Sequence, residues 1–161
     1  GGVQEVMFSD SPTAAEARAA IVSGWGTAPR YFLYFGHAAS DYLGREKVLR
    51  KVDVPALSAG TPPAGGVLCC LAGCFNFHTG DDCLSERLIK EPDRGLCMLV
   101  APAGMSPPEG QFLLGRKISA IIAADRAVPL GRALMLAKRR LPACHRDVLR
   151  SFNLLGDPKL R

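Results

Sequence analysis

The sequence predicts an α/β protein whose mostly parallel sheet is covered by helices on both faces. Short, continuous apolar runs are typical of strands that are buried on both sides, and such runs alternate along the chain with segments rich in helix-forming residues. Strands separated by helices pair in parallel, because each helix carries the chain back across the sheet. The length of 161 residues fits a single domain.

Each predicted strand is a short apolar run, and the clearest of them ends at a glycine. Tyr31 begins an aromatic and aliphatic run that Gly36 closes. Cys97 lies inside a later run, where we expect it to be a small core residue. The predicted strands are residues 3–8, which form the weakest run, 31–35, 67–71 and 96–100.

The predicted helices lie between these runs. Residues 14–22 are rich in Ala, Glu and Arg, which favour helix, and Gly24 and Gly26 end the segment. The other predicted helices are residues 48–57, as a short helix with a turn, 84–89, 111–124 and 130–141.

The composition excludes several classes of protein. Hydrophobic residues make up 48% and charged residues 22% of the chain, which is globular composition. No apolar run reaches the roughly 18 residues that a membrane span needs, so we expect no membrane partner. The net charge is +5, and the densest basic run, Lys138, Arg139 and Arg140, ends a predicted helix, where cations are favoured. Because the other basic residues are scattered, we predict no nucleic acid partner.

The six cysteines are interpreted as reduced thiols. Small secreted proteins spread their cysteines as disulfide staples, whereas here Cys69 and Cys70 are adjacent and several others lie in apolar runs. This usage predicts a cytoplasmic location. Cys144 lies in a basic stretch and is expected at the surface. The chain begins at Gly1 with no signal-like segment, so we expect it to be a piece of a larger protein.

A histidine and a cysteine each follow a predicted buried strand. His37 comes directly after Gly36, and Cys70 lies at the end of residues 67–71. Chemistry gathers at the carboxyl ends of parallel strands, so we expect both side chains at one edge of the sheet. An imidazole can take the thiol proton or hold the thiolate as an ion pair, which is the minimum for thiol nucleophilic catalysis. Cys69 points to the opposite face and is expected to be a core residue.

The residues around this pair resemble a known family. Residues 34–40 are similar to the Tyr-x-Gly-His-Gly-Ser stretch of the gingipain family of cysteine peptidases, and residues 70–75 resemble that family's Cys-x-x-Gly-x-Phe nucleophile segment. Further stretches resemble the family in the same order: residues 84–88, 95–106, 130–138 and 152–158. The resemblance implies a caspase-like three-layer α/β/α sandwich that hydrolyses peptide bonds of a protein substrate through a thioester, without a cofactor.

The resemblance also implies that this chain is the carboxyl-terminal part of a larger catalytic unit. The first strands of the family's sheet would precede Gly1, together with a third catalytic residue and part of the substrate pocket. We therefore expect an upstream segment or a partner chain to complete the domain. Without it, an apolar strand edge and a helix face would be exposed.

The resemblance assigns roles residue by residue. Cys70 matches the nucleophile, His37 matches the general base, and the backbone at Ala38 and Cys70 matches the oxyanion site. This chain has Ala38 and Ala39 where the family has Gly and Ser. A positive φ at Ala38 would be strained by its Cβ. This departure and the missing amino-terminal portion both support the alternative interpretation, which is a catalytically silent caspase-like module that acts as a scaffold or regulator.

Two acidic residues follow the predicted nucleophile segment. Asp81 and Asp82 form either a solvated loop or an acidic lip that binds Arg or Lys side chains of a substrate.

A structural zinc site is the last alternative. Cys70, Cys74, His78 and Cys83 are a possible set of tetrahedral ligands. Structural zinc sites more often separate two close pairs of ligands by a long gap, and Cys70 could not bind zinc and act as the nucleophile. We therefore predict no metal.

Overall fold

The computed structural model of the protein describes residues 13–26, 31–57, 82–91 and 96–159. Within these ranges the chain forms both helices and strands, as the sequence predicts for a mixed α/β protein. In chain order they are α1 (Ala14–Gly26), β1 (Tyr42–Leu43), β2 (Leu49–Arg50), a 3₁₀ helix (Lys51–Ala56), α2 (Leu84–Lys90), β3 (Met98–Pro102), α3 (Pro108–Ala124), α4 (Leu130–Arg139), a 3₁₀ turn (Ala143–His145), α5 (Arg146–Ser151) and β4 (Phe152–Gly156).

Strand β3 is buried along its whole length and contributes to two apolar clusters. Met98 and Val100 belong to the cluster that contains α3, α4 and α5, whereas Leu99 and Ala101 belong to the cluster that contains α1 and α2. This alternation follows from the period of two in a strand. β3 is therefore covered on both faces, as its continuous apolar sequence predicts.

The first cluster packs α3 against the end of the chain. Leu114, Ile118 and Ile122 are spaced four residues apart on α3 and are buried, which gives the helix one apolar face. A Cβ at position 110 would lie 2.8 Å from His145 Nδ1 and 2.8 Å from Val148 Cγ2. The absence of a side chain at Gly110 therefore allows α3 to approach α5 closely.

Lys138 joins α4 to the segment that leads into β4. Its ammonium donates to the carbonyl oxygens of Leu149 at 2.9 Å and Phe152 at 2.5 Å. Burial lowers the pKa of Lys138, because the charged form loses hydration. The two carbonyls take the place of the lost water and attach the start of β4 to α4.

The second cluster is held together by an ion-paired carboxylate as well as by apolar contacts. Asp53, in the 3₁₀ helix, is 9% exposed. Arg50 Nη2 donates to Asp53 Oδ1 at 2.8 Å, and Arg50 Nε donates to Oδ2 at 3.0 Å. Arg18, on α1, places Nε 3.0 Å from Oδ2 and donates from Nη2 to the Lys47 carbonyl at 2.7 Å. Asp53 thus connects α1 to the β1–β2 hairpin.

Replacing Asp53 by Asn should destabilise the protein by about 1.5–3 kcal/mol at pH 7, as expected for hydrogen bonds to a charged group. The side-chain hydrogen bonds from Arg50 hold the pKa of Asp53 below its usual value, against the opposing effect of burial. A lowered folded-state pKa gives stability that is present above the unfolded-state pKa of about 4 and is lost as pH falls through the folded-state value.

Urea unfolding of both proteins between pH 7 and pH 2 measures this effect. The difference in unfolding free energy between wild type and Asp53→Asn should shrink below about pH 4. The control is Asp147→Asn, at an exposed carboxylate on α5, which should change stability by less than about 0.5 kcal/mol. A difference that is equal at pH 7 and pH 2 would show that the carboxylate charge is not what stabilises this region.

The helix predictions are confirmed for α1, α2, α3 and α4, with ends that move by a few residues. Residues 48–57 form the short strand β2 followed by the 3₁₀ helix, so the predicted short helix is only partly correct. The predicted strand at residues 96–100 is present two residues later, as β3. Cys97 is exposed, so its predicted burial is wrong; it lies immediately before β3, the strand in which every residue is buried.

The described strands do not form the predicted parallel sheet. β1 pairs with β2, and β3 pairs with β4, and both ladders are antiparallel. Residues 31–35 form no strand ladder with another described segment, while the predicted strands at 3–8 and 67–71 lie outside the described residues. The sequence analysis did not predict β4, because this strand follows α5 with no residues between them. β4 runs along β3 in the opposite direction. No helix in the described ranges is both long and apolar enough to cross a membrane.

Candidate active site

His37 begins a tight hairpin that leads into β1. Gly44 N donates to the His37 carbonyl at 2.6 Å, and Ala39 N donates to the Tyr42 carbonyl at 2.9 Å. The His37 side chain is exposed, while its backbone is held by the hairpin. This arrangement presents an imidazole to solvent from a constrained position, as a general base requires.

Tyr34 gives the His37 carbonyl a second donor. Its hydroxyl lies 2.7 Å from the His37 oxygen. A Cβ at Gly36 would lie 2.5 Å from that hydroxyl oxygen, so only glycine leaves room for the Tyr34 ring. Gly44 has φ +74°, a conformation that glycine adopts without strain. Gly36 and Gly44 therefore allow two donors, the Tyr34 hydroxyl and the Gly44 amide, to reach the His37 carbonyl.

The backbone amide of Ala38 is not used by the hairpin. It pairs with Leu43 in an antiparallel bridge, and the two hairpin hydrogen bonds are made by the residues on either side of this pair. In such a non-hydrogen-bonded pair the N–H and C=O groups point away from the partner strand. No hydrogen bond from the Ala38 amide to another described residue is present. A backbone amide that lies next to the base and points away from the hairpin is suited to an oxyanion site.

The expected backbone strain at Ala38 does not occur. Among the described residues other than glycine, only Lys47 has a positive φ. Ala38 lies in extended backbone because it belongs to the bridge with Leu43, and extended backbone accepts a Cβ without strain. The replacement of the family's Gly by Ala38 is therefore compatible with this loop geometry.

A shallow cleft of about 290 Å³ lies beside the histidine. The described residues that line it are His37, Ala38, Tyr42, Gly44 and Arg45. The Lys47 ammonium lies 5.3 Å from the centre of the Tyr42 ring, within the range of a cation–π contact. Sequence reasoning did not find Tyr42 and Arg45; Gly44, as a turn residue after an apolar pair, was the available signal.

The segment that begins at residue 82 is hydrogen-bonded to the region of the same hairpin. Leu84 N, at the start of α2, donates to the Ser40 carbonyl at 2.6 Å. Lys51 Nζ donates to the Asp82 carbonyl at 2.7 Å and lies 3.5 Å from Asp41 Oδ1. The chain that follows the predicted nucleophile is thus attached a few residues from His37.

Several predicted site residues lie outside the described part of the chain. They are Cys69, Cys70, Cys74, His78 and Asp81. Asp82 is exposed and is not among the described residues that line the cleft. The structure therefore brings together His37 and Ala38, while the approach of Cys70 and the acidic lip stay predictions.

Cys83 is the described member of the possible zinc set. It is 1% exposed and precedes α2 as its N-cap residue. Burial raises the pKa of its thiol, because the thiolate would lose hydration. The described residues contain no group of three or more possible metal ligands, and the other three members of this set lie outside them, so the zinc alternative stays open.

The sequence as a whole matches one family description. The model of peptidase family C25 matches residues 3–161. The chain belongs to peptidase family C25. This membership confirms the resemblance to gingipains that residues 34–40 and 70–75 indicate. No curated protein matches this C25 chain closely enough to count as a relative.

Two solved structures share the fold of this C25 chain. The crystal structure of the Arg-specific cysteine proteinase gingipain R has a TM-score of 0.66 at 15% identity, over 89% of this chain and 35% of that chain. The complex of the Porphyromonas gingivalis RgpB pro- and mature domains has a TM-score of 0.69 at 14% identity, over 89% and 36%. This C25 chain therefore spans about a third of the length of the gingipain chains that it matches.

Proposed function

We propose that this chain carries the thiol-dependent centre of a cysteine endopeptidase, with Cys70 as the nucleophile and His37 as the general base. The observation that supports this proposal best is the exposed His37 imidazole beside a cleft, next to an Ala38 amide that the hairpin does not use. Membership of peptidase family C25 supports this chemistry. The substrate is a peptide or protein, and the chemistry needs no cofactor.

The proposed reaction runs in two steps. In the first, His37 takes the proton of the Cys70 thiol, and the thiolate sulfur forms a bond to the carbonyl carbon of the scissile peptide. The amide N–C bond then breaks as the His37 imidazolium returns the proton to the leaving amine. In the second, water attacks the thioester, releases the acid and restores the thiol. The backbone amides of Ala38 and Cys70 donate to the oxygen that becomes negative in both steps.

The alternative of a silent scaffold is weakened by the backbone at Ala38. That alternative is based on Ala38 and Ala39 and on the missing amino-terminal portion, and Ala38 has an unstrained extended conformation. What remains in its favour is the replacement of the family's Ser by Ala39 and the missing amino-terminal portion of the domain.

We also propose that an upstream segment or a partner chain completes the domain. Phe35, two residues before His37, is 46% exposed, and Phe112 on α3 is 51% exposed. Their rings contact each other, with centroids 5.8 Å apart. Paired aromatic side chains left in water next to a catalytic loop are favourable sites for burial by another segment.

Alkylation of individual thiols tests the peptidase proposal. With iodoacetamide near neutral pH, Cys70 should react faster than the exposed Cys144, because an imidazolium neighbour stabilises the reactive thiolate. Cys83 should react slowest, because burial raises its pKa and excludes the reagent. Peptide mapping by mass spectrometry gives the rate at each position, and His37→Ala should slow only the reaction of Cys70.

Two results would contradict the proposal. If Cys70 reacts no faster than Cys144, the silent module takes its place. If Cys70 is protected until a chelator is added, the zinc site with Cys74, His78 and Cys83 takes its place.

A further inference from the structure

The cleft beside His37 is bordered by the turn at residues 44–47, which carries Arg45, Glu46 and Lys47. Among the described residues that line it, Arg45 carries a permanent charge and is exposed. Lys47 adds a second cation next to Tyr42, a lining residue. No described lining residue is acidic. The nearby Asp41 lies 3.5 Å from Lys51 Nζ, so its charge is already paired.

We propose that this cleft binds an acidic side chain of the peptide substrate, and that Arg45 determines this specificity. The inference rests on the proposed peptidase function and names its substrate class. A guanidinium can donate two parallel hydrogen bonds to one carboxylate, which gives it geometric preference as well as charge attraction. A Lys or Arg side chain in the same cleft would be repelled by Arg45 and Lys47.

The size of the cleft is suited to a single side chain of the substrate. The cleft has a volume of about 290 Å³ and is bounded by the His37 hairpin. Tyr42 and Gly44 also line the cleft, and the Tyr42 side chain can contact the methylene groups of Asp or Glu. Because Arg45 is exposed, water and salt weaken its attraction for a carboxylate, so the preference should be moderate rather than absolute.

Cleavage of a set of matched peptides tests the inference. The peptides differ at one position at a time and carry Asp, Asn, Glu, Gln, Lys or Ala there. At one position next to the scissile bond, the full chain should cleave the Asp or Glu peptide with a kcat/KM about fivefold above that of its amide counterpart. Arg45→Glu should abolish this preference and favour Lys at that position. Arg132→Glu makes the same charge change at an exposed residue of α4 and should leave the preference unchanged.

Three results would overturn the role of Arg45. A wild-type preference for Lys would instead favour the acidic lip at Asp81 and Asp82. The absence of any charge preference, or an acidic preference that survives Arg45→Glu, would also exclude this role.

A binding measurement separates this inference from the peptidase proposal. In the Cys70→Ala background, which cannot form the thioester, fluorescence anisotropy should show the Asp peptide binding about fivefold more tightly than the Asn peptide. Adding Arg45→Glu should remove the difference. Absence of cleavage by the wild type together with this binding preference would contradict the peptidase proposal and support the acidic cleft. Equal binding of the two peptides would overturn the acidic cleft.

Discussion

Replacing Cys70 by Ala should lower peptide hydrolysis by a factor of about 10⁴ or more, the largest effect expected for any single substitution in this chain. Without the sulfur no thioester can form, and the oxyanion donors and the cleft alone give only residual catalysis. The measurement is kcat/KM for a peptide that the wild type cleaves, with circular dichroism to compare the folds. Because the side chain removed is small, the fold should stay intact.

The neighbouring cysteine is the matched control for this substitution. Cys69→Ala removes the same atom one position earlier in the predicted strand 67–71, where we expect the side chain to point to the opposite face. This variant should keep its activity and lose some stability, as a core thiol would. Equal losses of activity in both variants would show that neither sulfur acts specifically as the nucleophile.

His37→Ala should reduce activity by a smaller factor, about 10²–10⁴, as is usual for a general base. The thiol would still be present but would no longer have a group to accept its proton. Because the His37 backbone is held by Gly44 and Tyr34, the loop should keep its conformation in this variant. Full activity in His37→Ala would exclude His37 as the base.

Gly156→Ala should destabilise the protein by about 2–4 kcal/mol, the largest stability effect expected from adding a single methyl group. Gly156 has φ +112°, a conformation that costs a side chain about 1–3 kcal/mol. A Cβ there would also lie 2.4 Å from the Cys97 carbonyl oxygen and 2.9 Å from Met98 Cγ. That oxygen belongs to the backbone that leads into β3, which cannot move without disturbing the β3–β4 ladder.

Gly104→Ala is the matched control for the glycine prediction. A Cβ at position 104, shortly after β3, would have no atom within 4 Å, so stability should change by less than about 0.5 kcal/mol. Urea denaturation of the two variants and the wild type gives the three free energies of unfolding. Similar values for Gly156→Ala and Gly104→Ala would show that the end of β4 can move away from β3 at little cost.

The motif at residues 152–158 shows how sequence and structure differ in what they reveal. The sequence marks it as part of the resemblance to the gingipain family, without a physical reason for its glycine. The structure supplies the reason, since Gly156 lies opposite Met98 in the β3–β4 ladder. Its position against the Cys97 carbonyl depends on a residue nearly 60 positions earlier, which no local pattern can encode.

By itself, the sequence determined the helices α1 to α4 and the apolar strand β3, because each depends on the order of residues over a short range. It also determined the family, through a match over residues 3–161. It also marked His37 as a residue at the end of an apolar run. Only the tertiary structure decided that β4 pairs antiparallel to β3, that Ala38 is unstrained and that Arg45 lines the cleft beside His37. The physical reason is that strand pairing, backbone angles in a hairpin and the lining of a cleft depend on contacts that form only when the chain has folded.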